Sequence, residues 1–154
     1  MSELHFVKGH GTENDFIIIP DANGVIDLSD SRVRALCDRR AGLGADGVIR
    51  VVRTDACEDP AAVAARDEAL WFMDYRNADG SLSQMCGNGV RVMALYLATH
   101  ADVDLRNQLL IATRGGIKRI DFDGANITVD MGEPVVKGES NVGVGAKSWS
   151  SRHV

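Results

Sequence analysis

The chain has 154 residues, 45% hydrophobic and 25% charged, with a formal net charge of −5. That length builds a domain with a real core, and the acidic balance excludes a generic binder of nucleic acid or anionic membrane. No apolar run approaches the ~20 residues of a membrane span, and Met1-Ser2-Glu3-Leu4-His5 lacks the basic and apolar regions of a signal peptide, so a cytoplasmic location is expected. Three cysteines, Cys37, Cys57 and Cys86, form neither a disulfide framework nor a Cys-x-x-Cys metal site.

Leu4 to Lys8 reads as a short strand, His10 to Asp15 as a polar turn, and Phe16 to Ile19 as a buried strand stopped by Pro20. The turn serves as a hairpin connection. Asn14 at its end is also a candidate ligand contact, because its amide both donates and accepts. Ser29 is the expected N-cap of a helix from Asp30 to about Arg39. Val33, Leu36 and Cys37 share one face of it, which assigns Cys37 to the core. Gly42-Leu43-Gly44-Ala45-Asp46-Gly47 matches G-x-G-x-x-G in form only. A helix precedes it and a strand, Val48 to Val52, follows, the reverse of the dinucleotide-binding order. It reads as a glycine-rich helix-to-strand turn. Thr54 to Glu68, acidic and alanine-rich with Pro60 inside, predicts an exposed excursion with a short helical turn, and Cys57 within it has no assigned role. Leu70 to Tyr75 returns to strand.

The stretch from Arg76 to Leu97 organises the rest. Asn77-Ala78-Asp79-Gly80-Ser81 is a turn. A helix then begins at Cys86, with Val90, Val92, Met93, Ala94, Leu95 and Leu97 on nearly every face, the pattern of a buried helix. The start of a helix presents unpaired N–H groups and a partial positive charge. Gly87 and Gly89 let the backbone approach a ligand closely. A carboxylate suits such a place, and a thiolate at Cys86 is stabilised by it. A free cysteine is equally a small buried hydrophobe, and both readings stand at this point. His100 ends the helix and is given no chemistry. Leu109 to Thr113 and Ile117 to Ile120 are strands joined across Arg114-Gly115-Gly116. Asp123-Gly124 turns the chain into a strand from Ile127 to Met131, closed by Gly132-Glu133-Pro134. From Val135 onward the chain is rich in Gly, Ser and Val, with no helix expected.

Short strands around one buried helix predict an α+β fold, a curved and mostly antiparallel sheet wrapped around the helix that begins at Cys86. The connections look too short for the repeated crossover helices of a parallel α/β fold. Residues 1–134 are expected to form one domain and 135–154 the start of a crossover toward a second.

Five motifs carry a resemblance to a known family. They are Lys8-Gly9-His10-Gly11-Thr12-Glu13-Asn14-Asp15-Phe16, Gly42-Leu43-Gly44-Ala45-Asp46-Gly47, Tyr75-Arg76-Asn77-Ala78-Asp79-Gly80-Ser81, Met85-Cys86-Gly87-Asn88-Gly89-Val90-Arg91 and Asp130-Met131-Gly132-Glu133-Pro134. In that order the chain resembles the N-terminal half of the diaminopimelate epimerases, isomerases of bacterial lysine and cell-wall precursor synthesis. The resemblance implies cofactor-free interconversion of LL- and meso-diaminopimelate, by two cysteines on opposite faces of one α-carbon, in a homodimer. By position it makes Cys86 one of that catalytic pair and Asn14 and Asn77 substrate-binding residues. Gly87 and Asn88 become the backbone groups that hold the substrate carboxylate. Gly47 stands where some family members carry a glutamine near the substrate, so no side-chain contact is expected there. Neither Cys37 nor Cys57 has the Gly-rich context of the second cysteine. The resemblance thus implies half a site on one wall of an interdomain cleft, inactive by itself. A proline or hydroxyproline racemase is a second reading, though those relatives carry His where this chain has Asn88. A non-catalytic binding module retaining the anion pocket is a third. A redox or hydrolase cysteine is weaker, since no His is placed by sequence to serve Cys86.

Overall fold

The run Phe16 to Ile19 pairs backward onto the segment before it, forming an antiparallel hairpin of β1 (Val7–Gly11) and β2 (Asn14–Pro20). The computed structural model describes residues 3–133, together with the backbone of 138–144 and 147–153. Gly11 faces Asn14 in the register, so the turn is only Thr12-Glu13, and both take left-handed backbone, with φ of 56° and 66°. That tight geometry matches the twist of paired strands. It also draws His10 and Gly11 into β1, which lies further along the chain than Leu4 to Lys8.

The remaining strands are β3 (Gly47–Arg53), β4 (Trp71–Asn77), β5 (Leu109–Thr113), β6 (Gly116–Asp123) and β7 (Asn126–Asp130). They extend the hairpin into one seven-stranded sheet whose spatial order follows the sequence. The helices are α1 (Asp30–Cys37), α2 (Pro60–Ala64) and α3 (Gly87–His100), with a 3-10 turn at Thr54–Ala56. Most pairings are antiparallel, as expected. The expectation about crossovers is corrected, because β2–β3 and β4–β5 are parallel. Residues 21–46, holding α1, and 78–108, holding α3, are each long enough for a helical crossover.

The sheet curls around α3, which packs against β1, β2, β3, β4, β6 and β7. Phe16, Ile18, Ile49, Met73, Ile111 and Ile120 meet Val90, Met93, Ala94 and Leu97 there. Close approach depends on Gly9, where an added Cβ would lie 2.9 Å from Val92 Cγ1. α3 is not buried on every face, however: Leu95 is 54% exposed. It lines a cleft with His10 and Gly11 of β1 and with Ala125 to Ile127 around the start of β7. The two edge strands do not pair, so an apolar helix residue meets solvent.

The outer sheet face is covered twice. Ile17, Ile19 and Val48 pack under Leu28, Val33 and Cys37. Ser29 caps α1 by accepting from the Arg32 amide. Ser29→Ala is expected to lose about 1 kcal/mol, read as a lowered urea midpoint. α1 stops at Cys37 rather than near Arg39, because Asp38 has left helical backbone with ψ of 121°. The second cover corrects the exposed excursion. Cys57, Ala62, Ala65 and Ala69 are buried against Val52, Phe72 and Ala112. Pro60 opens α2, where Asp59 accepts from the Ala61 amide. It is a helix starter here, not a breaker, and alanines make an apolar face too small for hydropathy to signal.

An ion cluster also lies on this outer side. Asp74, 1% exposed, accepts from Arg50 Nε at 2.9 Å and from Arg114 at 2.6 Å. Arg114 also donates to Asp59 at 2.8 Å and to the Tyr75 carbonyl at 3.0 Å. Further on, β8 (Gly138–Val144) and β9 (Lys147–His153) form an antiparallel pair. Their Gly, Ser and Asn content hides the apolar alternation that would have marked them. The expected strand stop at Pro134 and the boundary at 134/135 lie outside the described residues.

Candidate active site

Cys86 is the N-cap of α3, in extended backbone with φ −141° and ψ 119°, and it makes no side-chain cap hydrogen bond. Its carbonyl starts the helix by accepting from the Val90 amide at 2.8 Å. The amides of Gly87, Asn88 and Gly89 point out of the first turn without a capping side chain, an anion-binding arrangement. An added Cβ at Gly89 would come within 2.7 Å of Met73 Cε, so glycine lets this end of the helix seat on β3 and β4.

The β1–β2 turn reaches the same point from across the sheet. Cys86 Sγ donates to Asn14 Oδ1 at 3.5 Å, and Asn88 Nδ2 donates to the same oxygen at 3.4 Å. Asn14 in turn donates through Nδ2 to Asp46 Oδ2 at 2.7 Å. That bond settles which end of the amide faces the thiol. Asp46 is itself clamped: it accepts from the Asp15 amide at 3.1 Å and from Arg39 at 2.8 Å. Asp15 binds Arg39 at 2.6 Å and Lys8 at 2.8 Å. The Arg39 guanidinium, with Lys8 beside it, holds the Asp15 carboxyl well below the usual carboxylate range. The Asn14 amide, then the Asp15 N–H and Arg39, lower that of Asp46. On the other side Arg91 donates to Asn88 Oδ1 and, at 3.4 Å, to Thr12 Oγ1.

Asn14, Cys86, Gly87 and Asn88 are therefore brought together. Asn77 is not hydrogen-bonded to them. It ends β4 opposite Gly47, with Nδ2 donating to Ser81 Oγ at 3.0 Å. Strand alternation places it on the α3 side with Met73 and Tyr75. Cys37 and Cys57 lie in the two outer clusters, and burial pushes the Cys37 thiol up. Among the described residues, no group of three or more His, Cys, Asp or Glu is placed to hold a metal, and no helix is long and apolar enough to cross a membrane.

Sequence reasoning missed Asp46, Arg39 and Arg91. Asp46 lies inside the motif set aside as a turn; its neighbours in space are 31 and 32 positions away. The available signal was an acidic residue in a Gly-rich loop running into a strand edge.

The family model described as Diaminopimelate epimerase matches residues 6–137. The diaminopimelate epimerase of Streptomyces coelicolor is 50% identical over 99% of this chain and 53% of its own length. That of Thermobifida fusca is 57% identical over 84% and 48%. That of Corynebacterium glutamicum is 48% identical over 96% and 53%. The chain thus spans about half the length of these curated relatives. A solved structure of a Bacillus anthracis phenazine biosynthesis protein of the PhzF family superposes with a TM-score of 0.51 over 82% of this chain and 38% of the other, at 17% identity, a likeness of fold alone. With the loops of Asn14 and Asp46 meeting the thiol that starts α3, and the family match running from β1 past β7, the chain belongs to the diaminopimelate epimerase family.

Proposed function

We propose that the protein carrying this chain interconverts LL- and meso-diaminopimelate without a cofactor, with Cys86 as one of two proton-transfer groups. The observation that carries the reading is the Cys86 thiol at an uncapped helix N-terminus, held 3.5 Å from the oriented Asn14 amide. As thiolate, Cys86 takes the α-proton: the C–H bond breaks, an S–H bond forms, and the electron pair moves into the carboxylate. The Gly87 and Asn88 amides meet that carboxylate, and fixed donors aimed at growing charge lower the barrier. A second thiol on the opposite face returns a proton to the carbon. Asn14 and Asn77 orient the zwitterion.

The described residues bring no second thiol to Cys86. In this reading residues 1–134 are one domain, residues 135–154 lead toward a second that carries the other cysteine, and the working enzyme is a cytoplasmic homodimer. The test is LL-diaminopimelate in heavy water with the protein expressed from its full reading frame. Conversion to the meso form with deuterium at the α-carbon is expected; neither conversion nor deuterium would sink the reading. The 154-residue chain alone is expected to give no inversion.

Asp46 supports this site indirectly. Asp46→Ala frees the Asn14 amide to turn and is expected to lower kcat/KM about tenfold, or 1.4 kcal/mol. Steady-state kinetics check this, and an unchanged value would show that Asn14 needs no anchor.

A further inference from the structure

Tyr75 occupies space that a side chain at residue 47 would otherwise take. β3 and β4 pair so that Gly47 faces Asn77, two residues along from Tyr75. An added Cβ at Gly47 would lie 2.6 Å from Tyr75 Cε2, 3.2 Å from its hydroxyl oxygen and 2.6 Å from the Arg76 carbonyl oxygen. Only glycine fits beneath the ring. The ring is held from the side by Phe16, edge to face at 5.8 Å between centroids. It stands on the α3 side of the sheet, in the cluster that also touches Cys86.

The residue is 7% exposed, and among the described residues only its backbone carbonyl, not its hydroxyl, takes part in a hydrogen bond outside the strands. The one fully enclosed side-chain N or O atom without a partner among them is Arg76 Nε, so the Tyr75 hydroxyl keeps contact with the open side. The hydroxyl oxygen stands 3.2 Å from where a Gly47 Cβ would lie, on the α3 side of the sheet with Cys86, and is open to a partner from outside. Burial, then negative charge at Cys86 and at Asp46, pushes the hydroxyl up to about 12. At neutral pH it keeps its proton and is a neutral donor.

We infer that Tyr75 is a substrate-contacting residue whose hydroxyl donates a hydrogen bond to the bound amino acid beside Cys86, in the space left by Gly47. This rests on the epimerase reading above. A hydrogen bond to a charged group is stronger than one between neutral groups, and an interaction made equally in ground and transition states alters KM rather than kcat.

The experiment is Tyr75→Phe in the protein expressed from its full reading frame, alongside wild type. Removing only the hydroxyl is expected to raise KM for diaminopimelate about tenfold or more, with kcat within a factor of two. The pH profile of Cys86 alkylation by iodoacetamide in the absence of substrate serves as a second readout, and should keep its shape. Because the hydroxyl has no partner among the described residues, the melting temperature of the variant chain should not fall. A wild-type KM overturns the inference while leaving the epimerase reading intact. A raised KM accompanied by a lowered melting temperature also overturns it, since the hydroxyl would then be structural. A wild-type protein that neither epimerises nor exchanges the α-proton overturns both.

Discussion

Cys86→Ser is expected to lower the rate of epimerisation about a thousandfold, within the range for losing a general acid–base group and close to 4 kcal/mol of barrier. The substitution keeps the helix start and the open amides of α3, and a hydroxyl can still reach Asn14 Oδ1. What it removes is the thiol, and an alcohol is a far weaker acid than a thiol. Binding should survive, so KM should change little while kcat collapses, the mark of an interaction used only in the transition state. Deuterium wash-in at the α-carbon should fall in parallel. Cys37→Ala and Cys57→Ala should leave kcat unchanged, because those thiols sit in the outer clusters. A Cys86→Ser protein retaining a tenth of wild-type kcat would remove Cys86 from the mechanism.

The second large effect concerns stability. Asp74→Ala is expected to cost about 3–5 kcal/mol, the range for breaking a buried pair by deleting one partner. The carboxylate is the common acceptor for Arg50 and Arg114, and Arg76 Nε lies 3.5 Å away. Its loss leaves arginines crowded on one face with their shared counter-charge gone. Asp74→Asn keeps an acceptor and should cost less. Urea unfolding of the chain checks both, and a loss under about 1 kcal/mol for the alanine variant would show that solvent reaches the cluster.

The same carboxylate sets a pH dependence. Burial by itself would raise it, but the hydrogen bond and charge of Arg114, with Arg50 and Arg76, hold it below its ordinary value. Asp15 and Asp46 are lowered by their own partners. A carboxyl with a depressed folded value stabilises the fold above the unfolded value near 4, and that stability is lost as pH falls through the folded value. The urea midpoint should therefore hold from neutral pH to about 5 and decline below 4. In Asp74→Asn the decline should be shallower.

What the sequence determined by itself was local. The buried strand of β2, the Ser29 cap, the start of α3 at Cys86 and the β5–β6 hairpin are each written in a few adjacent residues, because apolar period, capping oxygens and turn glycines act over one or two turns of chain. The motifs holding Asn14, Cys86, Gly87 and Asn88 are equally short, and the fold brings those four residues together while Asn77 bonds to Ser81 instead. Only the tertiary structure decided the rest. Asn14 and Cys86 are 72 positions apart, and nothing local says that Asp46 turns the amide between them. Burial of the alanine face of Thr54 to Glu68 depends on Phe72 and Ala112 arriving from other strands. The two parallel pairings follow from where α1 and α3 pack, and the exposure of Leu95 from edge strands that leave it uncovered. The fit of Tyr75 over Gly47 arises from cross-strand register, which is set by the whole sheet and not by either strand alone.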